Sequence, residues 1–165
     1  PGKGSTFTVE LPLAPASDEQ RKAVLAPQAD IADMKVRLAG KRVLLAEDNT
    51  LNAEIAIELL ESIGLAVDWA ENGRLAVERF EASAPNGYFA IFMDMQMPVM
   101  DGIEATAQIR SSSRSDHSLP IFAMTANTFA ADKQRCREAG MSGYIAKPIN
   151  VDAIVTTLAG YADGF

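Results

Sequence analysis

Cysteine is nearly absent from this sequence, which has a single one, Cys136, among 165 residues. A lone cysteine excludes an internal disulfide framework and a metal site built from several thiolates. Long hydrophobic runs are missing as well, since the longest uninterrupted apolar run covers only the six residues 88–93. A membrane-spanning helix needs about 20 apolar residues, so we expect no membrane contact by this fragment. A basic segment followed by an apolar one, as in a secretion signal, is also missing.

Positive charge is scarce in the larger, C-terminal part of the chain. The 15 Lys and Arg residues are outnumbered by 22 Asp and Glu residues, which gives a net charge of −7. The first 40 residues hold five charges of each sign, so the whole acidic excess lies after them. Proteins that bind DNA or RNA directly usually present a basic face. The charge distribution therefore argues against a nucleic-acid partner and is compatible with cation binding.

The first 40 residues divide into a strand-like segment and a linker-like segment. Residues 1–13 begin with a glycine turn and then alternate between apolar and polar side chains, which predicts a β-strand. A lone strand buries little surface, so we interpret it as the last strand of a domain that precedes this sequence. Residues 14–40 are rich in Ala, Pro, Asp and Gln and are typical of a linker. Pro15 and Pro27 are expected to interrupt any long helix there, leaving room for a short one over residues 18–25.

From residue 41 to residue 161, short apolar segments alternate with amphipathic ones. The apolar segments predict five strands, near residues 43–46, 65–70, 88–93, 120–124 and 143–146. The other segments predict five helices, near residues 51–63, 72–82, 101–110, 129–139 and 151–158. In the first of these helices, apolar residues spaced by four indicate a helical stripe, namely Leu51, Ile55, Leu59 and Ile63. This alternation predicts a doubly wound parallel sheet with helices on both faces, followed by a short tail at 162–165.

Chemically useful side chains follow four of the predicted strands. Glu47 and Asp48 come after the first strand, Asp94 after the third, Thr125 after the fourth and Lys147 after the fifth. Each residue type, taken alone, is most often an ordinary turn, cap or surface residue. Ligands of such sheets, however, bind outside the carboxyl ends of the strands. The sequence thus predicts that three carboxylates, one hydroxyl and one ammonium converge at one edge of the sheet.

This combination of groups favours phosphoryl chemistry at a metal site. Three close carboxylates repel one another unless a cation joins them, and hard oxygen ligands favour Mg²⁺ or Mn²⁺. A lysine and a threonine are suited to holding an anion beside that cation, and the natural anion is a phosphoryl group. One carboxylate can then act as the nucleophile and form an acyl phosphate. The metal, Thr125 and Lys147 would each stabilise one phosphoryl oxygen in the transition state.

Four segments resemble the receiver domain of two-component signalling proteins. They are residues 44–49 (LLAEDN), 93–102 (MDMQMPVMDG), 124–126 (MTA) and 143–148 (GYIAKP). The resemblance covers roughly residues 41–161. It implies a flavodoxin-like receiver fold, a five-stranded parallel sheet in the order 2-1-3-4-5 with five helices. It also implies that the domain accepts a phosphoryl group from a phosphohistidine in a phosphorelay.

The resemblance assigns a role to each residue at the predicted sheet edge. Asp94 is expected to be the phosphoacceptor, with Thr125 and Lys147 in contact with the phosphoryl group. Asp94 would also be a metal ligand, together with Asp48 directly and Glu47 mostly through water. Many family members carry Asp in place of Glu47, while the Glu form is common in receivers that are fused to kinases.

Three further expectations come from the same resemblance. The backbone carbonyl of Gln96 would be an additional metal ligand. Tyr144 resembles an aromatic switch residue whose ring turns inward when Thr125 moves toward the phosphoryl group. The bond between Lys147 and Pro148 is expected to be cis, which is essentially a property of proline.

Residues 2–13 resemble the end of the ATP-binding domain of sensor histidine kinases. The order of kinase remnant, linker and receiver is that of a hybrid histidine kinase, and ATP would bind only in the missing kinase domain. Lys3 is followed by Gly4 and not by Ser or Thr, so this segment is no P-loop. The implied donors are the phosphohistidine of the cognate kinase dimerisation domain and a histidine phosphotransfer protein. We expect a cytoplasmic fragment that catalyses its own phosphorylation, and an inner-membrane anchor in the parent protein is left open.

Two other interpretations remain open at this point. Phosphatases of the haloacid dehalogenase type also use an Asp nucleophile, which lies in an Asp-x-Asp-x-Thr motif after their first strand. Here the corresponding segment, Asp94-Met-Gln-Met-Pro98, lies at the third predicted strand. An inactive receiver kept as an interaction module is the other alternative, although all five site residues are present. Incubation with acetyl phosphate and Mg²⁺ distinguishes the three interpretations. An active receiver yields a stable aspartyl phosphate, a phosphatase yields turnover, and an inactive receiver yields no product.

Overall fold

Strands and helices alternate along the chain. The computed structural model describes residues 27–126, 130–159 and 161. The helices in this part are α1 Pro27–Leu38, α2 Thr50–Glu61, α3 Gly73–Ala82, α4 Gly102–Ser111, α5 Ala130–Glu138 and α6 Val151–Ala159. The strands are β1 Arg42–Ala46, β2 Ala66–Ala70, β3 Ala90–Asp94, β4 Ile121–Thr125 and β5 Gly143–Ala146. Across these described residues, no helix has the length and apolar character needed to cross a membrane.

The five strands form one sheet in the order β2-β1-β3-β4-β5. All four neighbouring pairs are parallel. Every residue of the central strand β3 and of its neighbour β4 is buried. A parallel strand covered on both faces is apolar up to its carboxyl end, which is consistent with 88–93 being the longest apolar run. The predicted doubly wound sheet and its strand order are confirmed.

Helices cover both faces of the sheet and create two hydrophobic layers. Successive side chains of a strand point to opposite faces, so Phe92 belongs to one layer whereas Ile91 and Met93 belong to the other. The first layer also contains buried residues of α1, α2 and α6, and the second contains those of α3, α4 and α5. The single cysteine, Cys136, is buried in the second layer.

Side-chain caps fix the starts of several helices at the predicted positions. The side chains of Asn72, Asp101 and Asn150 accept hydrogen bonds from backbone amides three residues later, at 3.0, 2.8 and 2.8 Å. Such caps satisfy amides that have no partner within the helix. After α2, Gly64 adopts a φ of +90°, a left-handed conformation that favours glycine and ends the helix.

Helix α1 was not predicted from the sequence. Pro27 is the first residue of α1, so it marks a helix start, and the helix that follows it within the expected linker was not foreseen. Proline is tolerated at that position, since the amide it lacks would have no partner within the helix. Met34 and Leu38 are buried in the same layer as α2 and α6, so the second half of the expected linker contributes to the hydrophobic core. The described part of the chain therefore has six helices where five were expected.

The other predictions for the chain ends concern residues outside the described part of the chain. These are the strand within 1–13, the short helix over 18–25 and the tail at 162–165. The boundaries of the kinase remnant, the linker at 14–40 and the receiver at 41–161 stay predictions.

Helix α2 buries a different face from the one that its large apolar residues suggest. Leu51 and Ile55 are 64% and 48% exposed. The buried face consists of Ala53, Ala56 and Leu60. Small alanines let the helix lie close to the sheet, so the first two residues of the predicted stripe face solvent, whereas Leu59 is partly buried and Ile63 is buried. Two large apolar side chains are thereby left on the surface next to the end of β1.

Candidate functional site

A cleft of about 650 Å³ opens at the carboxyl ends of the strands. It is lined by predicted site residues from four elements or their following loops, namely Asp48, Asp94, Gln96, Thr125 and Lys147. Glu47 is almost completely buried beside this cleft, with 2% of its surface exposed. The parallel sheet thus brings the predicted residues to one edge, as expected from the sequence.

The three acidic residues form a compact cluster. One carboxylate oxygen each from Glu47, Asp48 and Asp94 lies within 4.8 Å of the other two. Asp48 is exposed, whereas Asp94 is only 8% exposed. All the donors are hard oxygens, and their separation allows one small cation to be shared, so these residues fit Mg²⁺. Gln96, whose backbone carbonyl is the additional ligand expected from the sequence, also lines this cleft.

Lys147 links two of these carboxylates. Its Nζ lies 2.6 Å from Oε2 of Glu47 and 2.9 Å from Oδ2 of Asp94. Burial alone would lower the pKa of Lys147, but the hydrogen bonds to Glu47 and Asp94 outweigh burial and leave its pKa raised. The ammonium is therefore charged at neutral pH and positioned to meet an incoming anion.

Asp94 is held at the end of β3 in a partly desolvated position. Burial raises the pKa of Asp94, and the hydrogen bond from Lys147 opposes that rise. A side chain at Gly102 would collide with the backbone carbonyl of Asp94, so only glycine fits where α4 begins. The neighbouring backbone and Lys147 together fix the carboxylate in the cleft.

Glu47 is engaged through both its backbone and its side chain. Its backbone N–H donates to the Ala70 carbonyl at 3.1 Å, and its own carbonyl accepts from the indole N–H of Trp69 at 2.8 Å. The side-chain oxygen Oε1 accepts from Nδ2 of Asn52 at 3.1 Å. The turn after β1 is thus clamped to β2 and α2, which fixes the acidic pair at the sheet edge.

The two predicted switch residues lie in different surroundings. Thr125, at the end of β4, is 9% exposed and lines the cleft. Tyr144 lies in β5 with 41% of its surface exposed, so its ring is on the outside of the protein. The peptide bond between Lys147 and Pro148 is cis, as expected.

Sequence reasoning missed several residues at this site. Asn52 and Trp69 contact Glu47, and Arg135 and Asp101 line the cleft. The sequence contains one usable signal, because Asn52 lies in the first helical turn after the acidic pair. Arg135 could not be found in this way, since it comes from α5 and follows none of the strand ends directly.

Comparisons with known proteins agree with this geometry. The family model described as response regulator receiver domain matches residues 43–159. The chain is 36% identical over 148 residues to the peroxide stress-activated histidine kinase mak1 of Schizosaccharomyces pombe, covering 87% of this chain and 9% of the kinase. It is 33% identical over 162 residues to the aerobic respiration control sensor protein ArcB of Escherichia coli, covering 98% of this chain and 19% of ArcB. The chain thus spans less than a fifth of either relative.

Solved structures give the same result. The receiver domain of sensor histidine kinase PA1611 from Pseudomonas aeruginosa, which has a magnesium ion in its active-site cleft, matches with a TM-score of 0.68 and 36% identity, over 76% of this chain and 100% of that domain. The receiver domain of Saccharomyces cerevisiae Ssk1, in complex with the phosphotransfer protein Ypd1, matches with a TM-score of 0.66 and 30% identity, over 76% of this chain and 91% of that one. With its strand order, its acidic cleft and these matches, the chain belongs to the response regulator receiver domain family.

Proposed function

We propose that this receiver takes a phosphoryl group from a phosphohistidine onto Asp94, as part of a hybrid histidine kinase. The observation that carries the proposal is the position of Asp94, with its Oδ2 2.9 Å from Lys147 Nζ inside the acidic cluster. The reaction requires a carboxylate nucleophile, a nearby cation for the phosphoryl oxygens and a hydroxyl beside them. Labelling with acetyl phosphate and Mg²⁺ tests the proposal, since an inactive interaction module yields no labelled protein and a phosphatase yields turnover.

The proposed step is an in-line displacement at phosphorus. An oxygen of ionised Asp94 forms a bond to phosphorus as the bond between phosphorus and the donor imidazole nitrogen breaks, and the electron pair leaves with the imidazole. Lys147 donates to a phosphoryl oxygen while it keeps its contact with Glu47, and the Thr125 hydroxyl donates to another. A bound Mg²⁺ would supply further positive charge to the phosphoryl oxygens.

We assign the metal ligands from the same cluster. Asp48 and Asp94 would bind Mg²⁺ directly, Glu47 would act mostly through water, and the Gln96 carbonyl would complete the protein ligands. The magnesium ion in the cleft of the PA1611 receiver supports this assignment. Mn²⁺ is an alternative because it accepts the same oxygen donors.

The exposed ring of Tyr144 is proposed to move inward on phosphorylation, when the Thr125 hydroxyl shifts toward the phosphoryl group. Since Tyr144 is only 41% exposed, burying the rest of its side chain is worth roughly 1 kcal/mol, which is enough to bias a two-state equilibrium several-fold. Beryllofluoride, which mimics the aspartyl phosphate, should therefore change the NMR chemical shifts of residues 142–146 as well as those near Asp94. Shifts confined to the Asp94 loop, with the Tyr144 signals unchanged, would exclude this switch.

The protein donors proposed for Asp94 are the dimerisation domain of the cognate kinase and a histidine phosphotransfer protein. The complex between Ypd1 and the related Ssk1 receiver supports the second donor. Next to the cleft, α2 exposes Leu51 and Ile55. Ile55 also lines a small groove of about 110 Å³ that reaches Lys147 and Pro148. A helix of the donor that covers these apolar side chains would bring its phosphohistidine close to Asp94.

Ile55→Glu is expected to slow phosphotransfer from a protein donor at least about ten-fold, since a charge at the centre of an apolar contact costs on the order of 1.4 kcal/mol or more. Labelling by acetyl phosphate should stay within about two-fold of the wild type, because this small donor needs no docking surface. Val36→Glu is the matched control, as Val36 is an exposed apolar residue on α1. Equal slowing with both donors, or none with either, would reject this docking surface.

The remaining domain assignments are also proposals. Residues 1–13 would be the end of a kinase ATP-binding domain, with ATP bound only in the body of that domain in the parent protein. The alignment with ArcB, which covers 98% of this chain, supports a kinase segment before the receiver. We further propose that the fragment works in the cytoplasm, where the donor histidine would be found.

A further inference from the structure

Asn52, in the first turn of α2, contacts the acidic cluster from the side of the helix. Its Nδ2 donates to Glu47 Oε1 at 3.1 Å, and its backbone N–H donates to the side chain of the helix cap Asn49 at 3.0 Å. The cap fixes the start of the helix, and the helix in turn fixes where the Asn52 amide can reach. The contact therefore joins a rigid element to a carboxylate that is 98% buried, since only 2% of Glu47 is exposed.

The two side-chain oxygens of Glu47 have different partners. Oε2 lies 2.6 Å from Lys147 Nζ, whereas Oε1 accepts from Asn52 and, at the longer distance of 3.4 Å, from the backbone N–H of Asn49. A buried carboxylate is stable only when its oxygens are hydrogen-bonded. With one oxygen held on each side, the plane of the Glu47 carboxylate cannot rotate without losing a bond.

These contacts form a continuous path across the site. Asn52 contacts Glu47, Glu47 contacts Lys147, and Lys147 contacts Asp94 at 2.9 Å. Groups behind metal ligands commonly set ligand orientation, and their removal typically costs 10- to 100-fold in metal affinity. The longer side chain of Glu47, compared with the Asp of many receivers, has one more rotatable bond and so gains more from an external anchor.

We propose that Asn52 is a positioning residue that fixes the Glu47 carboxylate and, through it, the place of Lys147 and of the divalent cation. The inference rests on the proposed metal site and phosphoacceptor. According to this inference, an exposed amide outside the cleft contributes to the affinity of the site for Mg²⁺. Its effect must pass through Glu47, because Asn52 does not line the cleft that contains Asp48 and Asp94.

The experiment is a Mg²⁺ titration of the purified protein, by calorimetry and by the fluorescence of Trp69. Trp69 is the only tryptophan of the chain, and its indole donates to the Glu47 carbonyl at 2.8 Å. Asn52→Ala is expected to raise the dissociation constant for Mg²⁺ about ten-fold, at the lower end of such effects. Gln108→Ala, which removes an exposed side-chain amide from α4 outside the cleft, should leave it within about two-fold.

A second variant separates positioning from a general loss of structure. In a Glu47→Ala background, Asn52→Ala should change the dissociation constant by less than about two-fold, since no carboxylate remains for the Asn52 amide to hold. A ten-fold effect in both backgrounds, or none in the wild-type background, would overturn the role of Asn52. If the wild-type protein binds Mg²⁺ and is labelled at Asp94, and Asn52→Ala has the same dissociation constant for Mg²⁺, this inference is rejected and the proposed function is left intact. Wild-type protein that binds no Mg²⁺ would reject both.

Discussion

Removal of divalent cations with EDTA is expected to stop the labelling of this protein by acetyl phosphate. Glu47, Asp48 and Asp94 place three carboxylates within 4.8 Å of one another, and the donor brings further negative charge. Lys147 is a single cation already shared between two of those carboxylates, so it cannot by itself offset the repulsion. Excess Mg²⁺ should restore labelling, which can be followed by intact-protein mass spectrometry.

Asp48→Ala tests the same requirement at one residue. Asp48 is the exposed member of the cluster, so its removal leaves no new buried group unpaired. The dissociation constant for Mg²⁺ should rise at least about ten-fold. Asp152→Ala, at an exposed acidic position in the first turn of α6, makes the same change in net charge and should have no such effect. Undiminished labelling in EDTA, or equal effects of the two variants, would contradict the metal assignment.

Asp94→Asn is expected to abolish labelling and, at the same time, to stabilise the metal-free protein. Burial raises the pKa of Asp94, so the folded state favours the protonated form more than the unfolded state does. The sign follows directly, because a carboxyl whose pKa is raised on folding makes the protein less stable as the pH rises through that pKa. At neutral pH the neutral amide should therefore increase the free energy of unfolding of the metal-free protein.

Addition of Mg²⁺ should reverse this order of stability. A ligand that binds only the folded state stabilises it by about 2.7 kcal/mol at a concentration of 100 times its dissociation constant. Wild-type protein should gain that amount, whereas Asp94→Asn has lost a ligand and should gain less. Urea unfolding with and without Mg²⁺ measures both effects, and Asp152→Asn should follow the wild type within about 0.5 kcal/mol. A destabilised Asp94→Asn protein without metal would mean that the contact with Lys147 outweighs the effect of burial.

Much of the site could be predicted because a parallel sheet converts sequence position into spatial position. A residue that follows a strand must lie at the carboxyl edge, so Asp94 and Lys147 could be brought together although 53 residues separate them. Local rules were equally effective at helix starts, where a side chain such as that of Asn72 or Asp101 caps its own helix. The strand-end residues are placed by strand topology, and the helix caps depend only on residues close by in the sequence.

The failures come from packing between distant elements. Whether Pro27 ends a helix or begins one depends on whether the residues after it can be buried, and Met34 and Leu38 are buried in a layer that α2 and α6 also line. Helix α2 buries a face rich in alanine and exposes Leu51. The spacing of apolar residues alone cannot tell which of these two faces is buried. The place of Asn52 in the first helical turn after the acidic pair can be read from the sequence, but its hydrogen bond to Glu47 depends on side-chain direction, which the order of residues does not specify.

The central claim is most directly tested by locating the phosphoryl group. After incubation of the protein with acetyl phosphate and Mg²⁺, the aspartyl phosphate can be trapped by borohydride reduction and mapped by peptide mass spectrometry. The structure predicts a single modified residue, Asp94, in wild-type protein and none in Asp94→Asn. Modification of Asp48, Asp101 or another acidic residue, with Asp94 unmodified, would contradict the assignment of the phosphoacceptor.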